Sequence, residues 1–229
     1  MDKTTRVIKT ISLPMPLKLG WVNCYLVNTG DGFVLIDTGG ANARRELEAA
    51  LVEAGCKPGD LRLIVITHGD FDHIGSATFL RGKYAAPIAM HPDDAGMAEK
   101  GDMFWNRKTG SRFFRLLARL LFRFGKENRF QVDIPLTDGY RLSDYGLEAT
   151  VLSIPGHSKG SIGVLCPAGD LFCGDLFDNT KTPVLNAIMD ELETAHASVA
   201  KLSRFTIRTV YPGHGRPFPM EDYSFANQV

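Results

Sequence analysis

The segment Thr67-His68-Gly69-Asp70-Phe71-Asp72-His73 places four side chains of metal-binding type within six positions. It comes at the end of the nearly unbroken apolar run 61–67, which is typical of a strand covered on both faces. In extended backbone, side chains two positions apart point the same way, so His68 and Asp70 are expected to converge on one ion. A turn after Phe71 then aims Asp72 and His73 at another ion. The segment therefore predicts two adjoining metal sites.

The alternative reading of this segment is a polar helix-capping loop, with Asp70 or Asp72 as the N-cap of the following helix. That reading explains one aspartate, but it leaves two histidines and a further carboxylate at the end of an apolar strand. Burial without partners costs about 2–7 kcal/mol per polar group. Metal ligation is therefore favoured, and Gly69 is expected to make room where the backbone passes the ions.

Three later segments each place one ligand-type residue directly after a predicted strand and a glycine. They are Ile154-Pro155-Gly156-His157-Ser158, Phe172-Cys173-Gly174-Asp175-Leu176 and Val210-Tyr211-Pro212-Gly213-His214-Gly215. A single loop histidine or aspartate is more often a turn or hydrogen-bonding residue than a ligand. Together with the first cluster, however, the three segments complete a metal site.

The combined pattern resembles the metallo-β-lactamase superfamily, whose motif is HxHxDH followed by a distant His, a bridging Asp and a final His. The resemblance covers most of the chain. It implies two ligand sets and a bridge: His68, Asp70 and His157 for one ion, Asp72, His73 and His214 for the other, and Asp175 between them. Asp37, in Val34-Leu35-Ile36-Asp37-Thr38-Gly39, resembles the family's buried aspartate that orients the metal-binding loop. Asp70 and Asp72 are the candidate catalytic carboxylates.

The pattern of apolar residues predicts two sheets flanked by helices. Predicted strands cover 24–27, 33–36, 61–67, 148–154, 162–166, 171–173 and 209–211, and predicted helices cover 43–54 and 190–203. The resemblance implies an α/β (α+β) fold, a four-layer αβ/βα sandwich of two mixed β-sheets. We expect one domain over 1–229, with a helical insertion or lid at 93–130 that carries no ligand-type cluster.

Within this insertion, Arg112 to Phe124 reads as a basic amphipathic helix. The interpretations left open are a lid over the active site, an interface and a contact with lipid or an acyl chain. Ser158, Lys159 and Ser161 follow His157 in a loop that faces substrate in one reading, whereas Lys159 is a solvated surface residue in the other. His91 and His196 are expected to lie outside the metal cluster.

The chain departs from the family at Asp70, where histidine is usual. Asp70, Asp72 and Asp175 supply three negative charges, so that two divalent ions and a bridging hydroxide form a nearly neutral cluster. Harder ions then compete with the family's usual Zn, and Fe and Mn become candidates. Flavodiiron proteins of the same superfamily carry glutamate at this position, which is compatible with dinuclear binding.

The expected activity is attack of a metal-bound hydroxide on an ester, thioester or lactone-type carbonyl. One alternative is a di-iron oxidoreductase related to the metal domain of flavodiiron proteins, which is less favoured because no flavodoxin-like module is expected after His214. The other alternative is a non-catalytic metal-binding protein. A true β-lactamase is disfavoured because Met1 to Pro16 does not resemble an export signal.

Composition narrows the range of partners. The chain has 26 Lys and Arg against 26 Asp and Glu and lacks a long basic run, so nucleic acid is not an expected partner. No run of about 18 apolar residues occurs, so no transmembrane segment is expected. Scattered cysteines without a CxxC pair indicate a reduced, cytoplasmic protein. We expect a small-molecule substrate, with an apolar or acyl part as one option, and a homodimer is left open.

Overall fold

Two mixed β-sheets form the centre of the computed structural model, which describes residues 7–108, 113 and 125–224. The first sheet has the order β1-β2-β3-β4-β5-β6. Its strands are β1 (Ile8–Pro14), β2 (Trp21–Asn28), β3 (Phe33–Ile36), β4 (Leu61–Val65), β5 (Ile88–Met90) and β6 (Ile134–Pro135). Pairing is antiparallel from β1 to β3 and parallel from β3 to β6. The residues that follow β3 and β4 therefore emerge at the same sheet edge.

The second sheet has the order β12-β11-β9-β8-β7, and β10 also pairs with β9. Its strands are β7 (Thr150–Ser153), β8 (Ile162–Leu165), β9 (Asp170–Asn179), β10 (Val184–Leu185), β11 (Thr209–Gly215) and β12 (Phe218–Pro219). The β9–β11 pair is parallel and the other pairs are antiparallel.

Five α-helices accompany the sheets in the described part of the chain. They are α1 (Arg44–Glu53), α2 (Phe71–Ile74), α3 (Ala77–Tyr84), α4 (Pro92–Lys100) and α5 (Leu192–Leu202). Short 3₁₀ turns cover Pro16–Lys18, Ala41–Ala43, Lys126–Asn128, Ser143–Tyr145 and Met220–Asp222. In α1 the spacing of Leu47 and Leu51, both fully buried, turns one face of the helix to the core.

Three groups of buried side chains separate four layers. On β3, Leu35 packs with α1 and α3, whereas Val34 and Ile36 face the second sheet. The opposite face of the second sheet packs on α5 through Ala195 and Val199. This alternation follows from the period of two along a strand. The predicted sandwich of helices, two sheets and helices is confirmed.

The two strands that carry Asp175 and His214 are longer than predicted. β9 continues through Asp175 and β11 continues through His214, so the placement of these residues just after a strand was wrong. The β9–β11 register shifts on both sides of Pro212, which cannot donate a ladder hydrogen bond. These irregularities lie close to Asp175 and His214 and do not end the strands.

Three further expectations concern the Arg112–Phe124 helix, membrane-spanning helices and the cysteines. The predicted Arg112–Phe124 helix lies outside the described residues apart from Phe113, whose side chain is exposed. No helix within the described ranges is long and apolar enough to cross a bilayer. All four cysteines are buried thiols.

Candidate metal centre

The loop after β4 is held by Asp37, which follows β3 at a positive φ of 59°. Asp37 Oδ1 accepts a hydrogen bond from the Thr67 backbone N–H at 2.8 Å, and its Oδ2 accepts one from Thr67 Oγ1 at 2.8 Å. The same Oδ2 lies 2.8 Å from His73 Nδ1. Aspartate tolerates left-handed backbone better than most residues, so this sharp turn carries little strain. Asp37 therefore connects the end of β3 to the loop after β4 and to His73.

Two groups of ligand-type atoms meet where the sheets adjoin. Within each group the atoms lie within 4.8 Å of one another: the first group is His68, His157 and Asp175, and the second is Asp72, His73 and His214. The Asp175 carboxylate lies between the groups. Its Oδ1 is 3.4 Å from His73 Nε2, and its Oδ2 is 3.3 Å from His214 Nε2 and 3.9 Å from His68 Nε2. Six of the seven predicted ligands thus fall into two adjoining groups.

All four histidine rings turn the same nitrogen away from the centre. The Nδ1 atoms of His157 and His214 lie 2.6 Å from the Ile188 carbonyl oxygen and 2.8 Å from the Trp21 carbonyl oxygen. His68 Nδ1 lies 3.0 Å from Thr67 Oγ1, and His73 Nδ1 faces Asp37. Acceptors on Nδ1 fix the tautomer in which Nε2 carries a lone pair toward the centre.

Several buried polar atoms at the centre lack a hydrogen-bond partner among the described residues. They include His68 Nε2, His73 Nε2 and Asp175 Oδ1. Unpaired buried polar atoms are rare because each costs desolvation energy, and a bound ion is one of their ordinary explanations. Imidazole and carboxylate are the usual donors to Zn, Fe and Mn. The residues therefore fit a pair of divalent cations.

Electrostatics at the centre reflect crowded acids and bases. Burial opposes ionisation of Asp175, but His214 and His73 outweigh it and hold the pKa of Asp175 well below its usual value. Burial would lower the pKa of His214, yet Asp175 raises it to about 9. Burial, with help from the other histidines, keeps the pKa of His68 well below its ordinary value. Without cations, protons on part of this cluster balance its carboxylates.

Asp70 lies beside the first group and makes an ion pair of its own. Its Oδ2 is 3.0 Å from His157 Nε2 and 3.7 Å from His68 Nε2, whereas its Oδ1 is 2.7 Å from Arg107 Nη2. Burial favours the neutral acid, but Arg107 and His157 hold the pKa of Asp70 far below its usual range. Asp70 occupies the N-cap position of α2, as the capping alternative expected, but its side chain makes no capping hydrogen bond.

Asp94 and Arg107 were missed from the sequence, since they belong to the segment 93–130. Asp94 is fully buried and accepts hydrogen bonds from Gly69 N at 3.1 Å, Gly160 N at 2.8 Å and Ser158 Oγ at 2.6 Å. It thereby ties the loop after β4 to the loop after β7. Asp94 and Arg107 are single charged residues outside any motif, so only the fold brings them to the centre.

The substrate-facing alternative for the loop after His157 and the role expected of Gly69 both need correction. Ser158 and Ser161 are buried and their hydroxyl groups lie 2.7 Å apart, so they hold the loop instead of facing substrate, while Lys159 is exposed. A Cβ on Gly69 would collide with the side chain of Met97 on α4, so this glycine admits α4 instead of making room for ions. His91 caps α4 through Nδ1, which accepts from the Asp93 N–H.

Position 213, beside the metal centre, requires a glycine. A Cβ there would overlap Asp175 Oδ1 and approach His73 Cε1 to 2.7 Å. The backbone of β11 can pass this close to two ligand-type side chains only without a side chain of its own. Gly213 therefore sets the spacing between the first sheet's loop and the second sheet.

Comparisons with known proteins agree with this geometry. The sequence model described as "Metallo-beta-lactamase superfamily" matches residues 18–214. The probable metallo-hydrolase YqjP of Bacillus subtilis is 29% identical over 93% of this chain and 73% of its own length. The crystal structure of the metallo-beta-lactamase family protein TTHA1429 from Thermus thermophilus is 29% identical, with a TM-score of 0.69 and coverage of 93% of this chain and 74% of that one.

A second solved structure, of TTHA1623 in a di-iron-bound form, is 30% identical. Its TM-score is 0.69, and the match covers 91% of this chain and 94% of that chain. With the matched family spanning most of the sequence and the ligand-type residues gathered at the junction of two sheets, the chain belongs to the metallo-beta-lactamase superfamily.

Proposed function

We propose that this protein is a dinuclear metal-dependent hydrolase that cleaves an ester, thioester or lactone-type carbonyl. The observation that carries the proposal is the pair of adjoining ligand groups, with the Asp175 carboxylate between them and each of their four histidines presenting Nε2. The probable metallo-hydrolase YqjP, which is similar over most of the chain, supports hydrolysis at a coarse level. Divalent cations bound here would supply Lewis-acid chemistry, by acidifying water and polarising a carbonyl oxygen.

The chain's own residues have distinct roles in this proposal. His68, His157 and Asp175 would hold one cation, with Asp70 Oδ2 as a further ligand, and Asp72, His73 and His214 would hold the other. Asp72 Oδ2 is buried and lies 3.5 Å from His214 Nε2, and in this proposal it would receive a proton from the attacking water. Asp37 and the two carbonyl acceptors keep the imidazole rings oriented.

The rim of the centre supports a substrate with an apolar part. Trp21 and Ile188 supply the carbonyl acceptors for His214 and His157, so both residues border the ligands. Their side chains are 60% and 70% exposed. Exposed apolar side chains on residues that adjoin the ligands are therefore candidates to contact an acyl or aromatic group of the substrate.

The first experiment measures metal content and hydrolysis together. Freshly purified protein is analysed for Zn, Fe and Mn, then stripped with a chelator, reloaded with each metal and assayed on a panel of esters, thioesters and lactones. We expect close to two ions per chain and metal-dependent turnover. Asp72→Asn should lose turnover, whereas Asp31→Asn, at an exposed position in the β2–β3 turn, should keep it. A protein that binds none of the metals and gains no activity on reloading would refute the proposal.

A redox function is the second candidate, because the related TTHA1623 was solved in a di-iron-bound form. Iron content and oxygen consumption separate the two functions. Hydrolysis of the carbonyl panel that is as fast with Zn as with Fe, and as fast without oxygen as with it, supports the hydrolase. Activity that requires iron, oxygen and an electron donor, with no turnover of the carbonyl panel, supports the oxidoreductase.

A further inference from the structure

Arg107 is a buried cation at the metal centre, although no sequence motif includes it. Its side chain is 4% exposed and its Nη2 lies 2.7 Å from Asp70 Oδ1, which itself is 9% exposed at the side chain. Asp94 and Asp190 also raise the pKa of the Arg107 guanidinium, but Asp70, at 2.7 Å, has the larger effect. A buried arginine is stable only when a charged partner compensates it, so this pair is a specific feature of the folded chain.

The two oxygens of Asp70 have separate roles. Oδ1 faces Arg107, and Oδ2 faces His157 Nε2 at 3.0 Å and His68 Nε2 at 3.7 Å. A carboxylate with one oxygen engaged offers only the other oxygen to a cation. The arginine thus restricts Asp70 to a single donor atom, which is what a histidine at this position would also present.

The net charge of the Arg107–Asp70 pair also resembles that of a histidine at position 70. The three carboxylates of Asp70, Asp72 and Asp175 were counted from the sequence without Arg107, and that count made the centre more neutral than its histidine-containing relatives. With Arg107 included, the pair at position 70 is neutral overall, as a neutral histidine is. The electrostatic reason for preferring harder ions is therefore offset, although the donor atom remains an oxygen.

We propose that Arg107 is a positioning residue of the metal centre, which orients Asp70 and compensates its charge so that the pair replaces a histidine ligand. The inference rests on the proposed metal site. It predicts that Arg107 helps metal binding when residue 70 is aspartate and opposes it when residue 70 is histidine, because the guanidinium then loses its carboxylate partner at 2.7 Å and adds positive charge beside two cations.

The test compares the effect of Arg107→Met in two backgrounds. Zn dissociation constants are measured by competition with a chromophoric chelator for the wild type, Arg107→Met, Asp70→His and Asp70→His/Arg107→Met. In the aspartate background we expect Arg107→Met to weaken binding about tenfold, the lower end of the usual effect of residues that orient ligands. In the histidine background the same change should tighten binding about tenfold. Arg45→Met, which removes an exposed arginine from α1, should change neither constant.

The outcomes separate this inference from the proposed function. Opposite signs in the two backgrounds support the positioning role, whereas equal effects, or none in either background, overturn it. If the wild type itself binds no metal, the proposed function fails first. Thermal unfolding of each metal-free variant identifies any that do not fold, and Arg107→Lys then provides the comparison. Lysine keeps the charge but not the planar geometry, so it should weaken binding in the aspartate background and give no gain in the histidine background.

Discussion

Replacement of Asp37 by asparagine is expected to remove one metal ion in preference to the other. Asparagine has the same shape as aspartate and adopts left-handed backbone as readily. The turn after β3, where φ is 59°, should therefore persist. Its oxygen can still accept from the Thr67 backbone N–H, which places the NH₂ group at the position of Oδ2. That group then faces His73 Nδ1, where a donor meets a donor.

The magnitude follows from the lost contact. A hydrogen bond to a charged acceptor contributes about 1.5–3 kcal/mol, and His73 can recover a bond only by moving its proton to Nε2, the atom that faces Asp175. Since 1.4 kcal/mol corresponds to about tenfold in affinity, the second group should bind its cation about 10–100-fold more weakly. The first group should be affected less, because Asp37 contacts His68 only through Thr67 Oγ1 and His157 orients through the Ile188 carbonyl.

The assay is a two-site titration of metal-free protein with Zn against a chelator, with Asp31→Asn as the exposed control. We expect one strong site and one weakened site in Asp37→Asn, and a parallel loss of hydrolysis. Two sites with unchanged constants would refute the role assigned to Asp37. Equal weakening of both sites would show that the substitution disturbs the whole loop and not the tautomer of His73.

Three further results are expected. Gly213→Ala should lose metal, measured by elemental analysis, because a Cβ overlaps Asp175 and crowds His73. Gly82→Ala on α3, where nothing lies within 4 Å of the added atom, should raise the free energy of unfolding by about 0.5–1 kcal/mol, measured by chemical denaturation. Metal uptake at pH 7–8 should release protons, because the pKa of His214 is about 9 in the metal-free chain, so affinity should fall as the pH falls; calorimetry in two buffers counts the protons. Thiol labelling of native protein should be slow and become rapid on unfolding, because all four cysteines are buried and burial raises the pKa of Cys56 to about 11.

Local chemistry explains what was predictable from the sequence. The density of ligand-type residues at 68–73 and the apolar run before it are both short-range signals, and they identified the loop and the strand that delivers it. The paired-sheet architecture followed from the order of strand and helix patterns. β1 went unassigned, although Ile11 and Leu13 alternate with exposed Thr10 and Ser12 in the manner of an edge strand with one covered face.

The remainder depended on contacts distant in sequence. Gly174 and Pro212-Gly213 read as strand ends, but the parallel pairing of β9 with β11 continues past them through register shifts. Arg107 and Asp94 carry no local pattern, and their significance comes only from burial against the loop after β4. A pattern of ligands can thus be read from the sequence, whereas the groups that balance its charge and set its geometry require the fold.

The orientation of the histidine rings makes the centre dependent on both sheets. His214 belongs to the second sheet but its Nδ1 bonds to the Trp21 carbonyl at the start of β2, in the first. Asn23 Nδ2 and Tyr25 Oη donate to the Pro212 carbonyl across the same junction, at 3.1 and 2.6 Å. Cations shared between ligands of both sheets would add to these contacts, because an ion that binds only the folded state stabilises it by mass action. Metal binding and the docking of the sheets should therefore be coupled, since neither group of ligands is complete until the sheets meet.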